Sequence, residues 1–252
     1  MILHATDIGA GDAAILLHGL FGTATNFATI QRRLAETRRV LAFDLRNHGR
    51  SPHDPHMSYG AMADDVLETM AAHGLEHAAL VGHSMGGKVA MAVALREPAR
   101  IDRLLVADIA PVGYPPRYDD IAAAMRALPL APGLTRADAD RALALSVPDT
   151  GMRQFLLSNL RFGALPDWRI GLEEIAGALP EIMGWHQTGT YDGPTLVLSG
   201  ERSDYVRPEY RPLFQALFPH ARYVTLRGAG HWLHADAPDA FTATVDAFLS
   251  RA

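Results

Sequence analysis

The sequence predicts a mostly parallel, doubly wound α/β sheet with a helical cap inserted between two of its strands. Three observations predict it. Short β-rich runs alternate with segments of helical spacing, the pattern of strand–helix–strand units. The strand runs are continuously apolar, as suits strands buried on both faces. The alternation then stops between 112 and 192, where the periodic stretches are helical.

The elements follow in chain order. Residues 13–17 read as a strand that ends in His18-Gly19. Residues 26–36 have helical spacing through Phe27, Ile30 and Leu34, and 39–44 read as a strand. Ser58 can cap a helix whose apolar face carries Met62, Val66 and Met70 and which stops at Gly74. A strand over 78–82, a helix over 86–96 that stops before Pro98, and a strand over 103–108 come next. Far downstream, strands over 195–199 and 222–226 flank a helix near 209–217. The tail helix, 238–250, sets Phe241, Val245 and Phe248 on one face. Residues 1–111 and 193–252 thus form the core, and 112–192 the cap, within one structural domain. Breaks in the cap fall at Pro129, Pro132, Gly133, Pro148, Gly163, Pro166 and Pro180.

Composition narrows the function classes. A chain of 252 residues, 48% hydrophobic and 20% charged, can bury a sizeable core. Its net charge is −5 and no basic stripe stands out, which argues against nucleic acid as a partner. Without cysteine there is no disulfide framework, no thiolate chemistry and no cysteine zinc site, a composition that fits a reducing compartment. The first residues lack a basic region followed by an apolar core. No apolar run approaches the ~20 residues that span a bilayer. The expectation is a soluble, cytoplasmic protein with no membrane partner.

The strongest local signal is Gly82-His83-Ser84-Met85-Gly86-Gly87, between a strand and a helix. A serine hydroxyl is a weak nucleophile and has to be presented at a tight strand-to-helix turn. Gly82 and Gly86 suit such a turn, where a Cβ would collide with neighbouring chain. The following helix N-terminus favours negative charge developing beside Ser84. The plain alternative is a glycine-rich turn of an ordinary α/β protein, which does not account for the motifs that follow.

His18-Gly19-Leu20-Phe21-Gly22 can aim backbone N–H groups at the same place. An oxyanion hole needs two such donors. Met85, the residue after the serine, supplies one, and Leu20 the other, with Phe21 as the fallback. The base lies in Gly228-Ala229-Gly230-His231-Trp232, after the last strand, in the chain order this chemistry uses. His231 has to take the serine proton and return it, and loses that ability when protonated, near pH ~6.5 for an ordinary imidazole. His234 is its competitor. The pair His231 and His234 lacks a third ligand at metal spacing, so neither metal nor cofactor is expected.

The carboxylate behind the imidazole has two candidates. Asp204 lies in Gly200-Glu201-Arg202-Ser203-Asp204, the usual loop, but one place later than the usual Gly-x-x-Asp spacing. Asp108, in Asp108-Ile109-Ala110-Pro111, ends a strand at the carboxyl edge of the sheet, where catalytic groups collect. A loop cap at Asp108 and a surface or gate carboxylate at Asp204 are the structural alternatives.

Together these motifs resemble the α/β-hydrolase superfamily over nearly the whole chain. Asp44-Leu45-Arg46-Asn47-His48-Gly49-Arg50-Ser51, the elbow with Lys88, the Asp108 segment and Gly230-His231-Trp232 resemble a branch of small bacterial esterases and acyl-CoA thioesterases with mitochondrial relatives. The resemblance implies the α/β-hydrolase fold and an acyl-enzyme on Ser84. It puts the acid after the strand that follows the elbow helix, at Asp108, and needs no Asp in the Asp204 loop. It implies short to medium acyl esters, and some thioesters, as small-molecule substrates. Asp44 and Arg46 are read as bracing loops. Phe21, His83, Trp232 and the cap residues Phe155, Leu156, Leu160 and Trp185 are expected to line the substrate pocket, whose apolar character suits an acyl chain or small aromatic group. A cofactor-free perhydrolase, a carbon–carbon bond hydrolase and a ligand sensor on the same scaffold share every motif.

Overall fold

The computed structural model describes residues 1–250. The first half of the chain is built from β1 (Ala5–Ile8), β2 (Ala13–Leu17), α1 (Ala28–Leu34), β3 (Arg39–Phe43), α2 (Tyr59–Ala72), β4 (Ala78–His83), α3 (Met85–Arg96) and β5 (Ile101–Ala107). The inserted segment follows, with α4 (Asp119–Ala127), α5 (Arg136–Leu143), α6 (Thr150–Leu157), the hairpin β6 (Leu160–Arg161) and β7 (Asp167–Trp168), and α7 (Leu172–Met183). The chain then re-enters the sheet with β8 (Thr195–Gly200), α8 (Arg211–Leu217), β9 (Ala221–Leu226), α9 (Leu233–Asp236) and α10 (Pro238–Leu249).

The strands form one sheet in the order β1-β3-β2-β4-β5-β8-β9, parallel except for β1. This is the doubly wound architecture that the alternation predicts. Side chains of successive strand residues point to opposite faces, and the core divides accordingly. Ile15, Leu17, Leu41 and Leu80 pack with Met62 and Val66 of α2 and Val89 of α3. Leu16, Val40, Val81 and Leu105 pack on the other face with Ile30 of α1 and Phe241, Val245 and Phe248 of α10.

Local signals explain the helix ends. The Ser58 hydroxyl accepts the Ala61 N–H at 3.1 Å, which caps α2. Gly74, just past its end, has φ 68°, a backbone state that glycine adopts without steric cost.

Four differences from the sequence expectation stand out. The edge strand β1 was not anticipated: its four residues are half-buried or exposed and carry no apolar run. The predicted 26–36 helix is shorter and follows a 3-10 turn over Ala24–Phe27. The cap segment is not wholly helical, because β6 and β7 pair antiparallel, two residues each, around the Gly163–Pro166 break. Pro180, expected to end a helix, lies inside α7. Among the described residues no helix is long and apolar enough to cross a membrane.

Candidate active site

The site lies at the carboxyl edge of the parallel strands. Between β4 and α3 the chain reverses at Ser84 with φ 54° and ψ −121°. A positive φ at a residue with a side chain is costly and persists only where its surroundings enforce it. Here they do. A Cβ on Gly82 would lie 2.2 Å from the Gly86 carbonyl oxygen, and one on Gly86 2.3 Å from that of Leu17. Only glycine lets strand and helix meet this closely. The turn is pinned by the Ser84 N–H on the Ala107 carbonyl at 2.9 Å and by the Gly87 and Lys88 N–H groups on the Ser84 carbonyl at 2.8 and 3.1 Å.

His231 reaches Ser84 from the loop after β9. Its Nε2 lies 3.0 Å from Ser84 Oγ, and its Nδ1 lies 2.7 Å from Asp108 Oδ2. Asp108 is wholly buried and follows β5 with φ 54°. Its Oδ1 accepts the Gly200 N–H at 3.0 Å, and Oδ2 also accepts the Ser203 hydroxyl. Acceptance of these bonds fixes the orientation of the carboxylate toward His231.

The alternative acid, Asp204, is elsewhere. It is exposed and paired with Arg117, whose guanidinium donates to both carboxylate oxygens at 3.2 and 2.9 Å. That pairing holds the Asp204 carboxyl below its ordinary range. The competing base, His234, makes no hydrogen bond to Ser84 among the described residues. It lies against the His83 and Phe27 rings, and burial pushes it down to about 4.

The two loops that flank Ser84 are braced by buried imidazoles. His48 Nε2 accepts the Phe21 N–H at 3.0 Å, and His48 Nδ1 faces the Arg46 carbonyl at 2.9 Å. His18 Nε2 accepts the Leu45 N–H at 3.0 Å, with Nδ1 on the Gly19 carbonyl at 2.8 Å. Each nitrogen pair fixes a neutral tautomer, with Nδ1 protonated. Burial pushes His18 down to about 4 and His48 to about 3, so both stay neutral at pH 7.

The His48 bond corrects the Phe21 fallback: its N–H is already engaged. The N–H groups of Leu20 and Met85 have no protein acceptor among the described residues. Asp44 accepts the Ala24 and Arg50 N–H groups at 2.7 and 2.9 Å, and Arg46 pairs with buried Asp65 at 2.6 Å. Both brace loops and neither faces Ser84.

Two pockets meet at Ser84. An open cleft is lined by Phe21, His83, Tyr118, Met152, Phe155 and Trp232 among others. A smaller, narrow one runs behind the serine past Leu20, Ile109, Tyr114 and Lys88. His83 contributes its ring to the cleft, but its Nε2 is held by the His231 carbonyl at 2.8 Å. Leu156, Leu160 and Trp185 line neither pocket. Leu156 and Leu160 are buried in the apolar core, and Trp185 packs against Tyr59, 5.9 Å between ring centroids.

Three further residues belong to the site. Ser203 bonds Asp108 from the place where Gly-x-x-Asp would put the acid, so the spacing defect was a signal that could have found it. Tyr205 stacks on the His231 imidazole, 4.0 Å between centroids at 20°. Lys88 ends the rear pocket. Tyr205 had no sequence signal, and Lys88 was visible only as the end of the elbow motif, because loop path and burial are decided by packing.

The arrangement can move a proton from Ser84 Oγ to His231 Nε2, with Asp108 stabilising the imidazolium. Leu20 and Met85, whose N–H groups are unengaged among the described residues, line a pocket together with Ser84. The sequence model of the alpha/beta hydrolase fold family matches residues 13–238. The chain belongs to that family. This α/β hydrolase is 42% identical to the sn-1-specific diacylglycerol lipase ABHD11 of Mus musculus, over 94% of the chain and 81% of that protein. It is 39% identical to the esterase YbfF of Escherichia coli strain K12, over 94% of the chain and 92% of that protein. A solved marine microorganism esterase superposes with a TM-score of 0.95 at 35% identity, over 98% of the chain and 99% of that structure. With these relatives, this α/β hydrolase is an enzyme of the serine ester hydrolase class.

Proposed function

We propose that this enzyme hydrolyses short to medium acyl esters, and acyl thioesters of similar size, through an acyl-enzyme on Ser84. The substrate carbonyl sits over Ser84 with its oxygen toward the N–H groups of Leu20 and Met85. His231 takes the hydroxyl proton as Ser84 Oγ attacks, and Asp108 stabilises the imidazolium. His231 then hands the proton to the departing alcohol or thiol. Water, deprotonated by the same imidazole, adds to the acyl-enzyme and releases the acid. Residues 112–192 act as the cap over the cleft, with Phe155 meeting Trp232 at its mouth.

One observation carries this reading: the unbroken hydrogen-bonded chain from Ser84 through His231 to Asp108, at 3.0 and 2.7 Å. The apolar lining supports the substrate class. Phe155 and Trp232 have ring centroids 6.2 Å apart, a surface for alkyl or aryl groups rather than for a sugar or phosphate. A panel of p-nitrophenyl esters from acetate to palmitate, with matching acyl-CoA thioesters, tests it. The expected kcat/KM peaks among the short to medium esters and is lost in Ser84→Ala. Turnover confined to vinylogous diketones, with every ester inert, would overturn it.

A further inference from the structure

Lys88 sits one helical turn after Ser84. It is the only lysine of the chain, whose other basic side chains, among 23 Lys and Arg in all, are arginines. It is 1% exposed, and its ammonium closes the pocket behind the serine. Two of its three N–H donors go to the Gly184 carbonyl at 2.7 Å and the Met183 carbonyl at 3.3 Å. The third has no acceptor and no carboxylate pairs with Lys88 among the described residues. Its remaining neighbours are aromatic: the Tyr59 and Tyr114 ring centroids lie 5.4 and 5.0 Å from Nζ.

The pocket offers donors and no free anion. The Tyr59 hydroxyl is spent on the Ile182 carbonyl at 2.6 Å, and the Tyr114 hydroxyl on the Tyr205 carbonyl at 2.6 Å. The Tyr118 and Tyr205 hydroxyls lie 2.8 Å apart, so one of them keeps a proton that no protein group accepts. A tie between α3 and the end of α7 asks only for hydrogen-bond donors, which a neutral side chain supplies. An unpaired cation there is disfavoured by burial, and burial alone pushes the Lys88 ammonium down to about 7. An arriving anion would reverse that penalty.

We infer that this rear pocket is a subsite for the far end of an acyl group that bears a carboxylate, as in half-esters of short dicarboxylic acids. The inference rests on the proposed ester hydrolysis and names the acyl class. The reactive carbonyl lies over Ser84, the carbon chain passes Leu20 and Ile109, and the distal carboxylate takes the third N–H of Lys88. Hydrolysis consumes water, releases the alcohol and leaves the dicarboxylic acid.

The test compares monoethyl glutarate with ethyl valerate, alike in chain length but differing in the terminal group, by pH-stat assay at pH 6.5. The wild-type kcat/KM should favour the half-ester. In Lys88→Met that ratio should fall by about 100-fold, the scale of a desolvated charge pair losing one partner. A ratio that stays within about 3-fold overturns the subsite while ester hydrolysis stands. If neither ester is hydrolysed by the wild type, the ester reading falls and the subsite with it. Should Lys88→Met fail to fold, the wild-type enzyme labelled with ε-¹³C lysine gives a single side-chain resonance. Saturating glutarate should raise its titration by about one unit or more, and neutral glutaramide should leave it in place. A titration that glutarate does not move overturns the inference.

Discussion

Ser203 stands where the usual spacing would put the acid, and its hydroxyl reaches the Asp108 carboxylate instead. On the proposed assignment the acid, Asp108, follows β5, one strand across the sheet from the usual place after β8, where a short neutral donor stands. The Asp108 carboxylate is wholly buried and acts directly on His231. Asp108→Asn should therefore cost about 10⁴-fold in kcat, the loss seen when an imidazole is left in the wrong tautomer. Asp204→Asn, which breaks only an exposed pair with Arg117, should keep near-wild-type turnover. Ser203→Ala should lower kcat by about 10-fold, since it removes one bond to a charged group and leaves the others. Steady-state kinetics on one ester checks all three. A severe loss in Asp204→Asn with a mild one in Asp108→Asn would reverse the assignment. The glycines around Ser84 were legible in the sequence because steric demand has only one answer at such a turn. Tyr205 was not, because its stacking on His231 depends on the path of a loop.

The strand–helix alternation was equally legible, because continuous apolar runs leave strands few places but the sheet interior. Edge strand β1, with its polar ATDI sequence, carries no such run. Leu156 and Leu160 show a second limit. Their apolar character announces burial but does not say against what, and they join the buried core instead of lining the cleft. One cap side chain does touch the catalytic loops. Asn159, buried between α6 and β6, donates from Nδ2 to the Phe21 carbonyl at 2.7 Å. Phe21 has φ 61°, and its N–H is held by His48, so both sides of this peptide segment are fixed. Asn159→Ala frees the carbonyl side of the loop that presents the Leu20 N–H. The expected result is a kcat lower by about 10-fold with a smaller change in KM, because oxyanion donors act most strongly in the transition state. A change confined to KM would mean that the bond shapes the cleft instead.

Across the whole molecule, buried neutral imidazoles link the fold to pH. His18 and His48 stay neutral in the native state down to about 4 and about 3. Unfolded, they protonate near the ordinary value of ~6.5. Between those limits the unfolded chain binds more protons, so stability falls as pH falls. His18 alone contributes a loss of order 3 kcal/mol by pH 4, and none above pH ~7. Thermal melts from pH 7.5 to 4.5 should show a progressive drop in Tm, shallower in His18→Gln. A flat profile would mean that these imidazoles are charged or solvated in the folded protein. Tertiary burial of this kind has no local signature, which is why the histidines of the loops were visible in the sequence and their neutrality was not. The nucleophile is the point on which fold, braces and chemistry converge. Rapid acid quench during turnover of p-nitrophenyl butyrate, followed by peptide mass mapping, tests it most directly. The expected product is a butyryl group on Ser84, absent from Ser84→Ala. A butyryl group on any other residue, or wild-type turnover in Ser84→Ala, would contradict it.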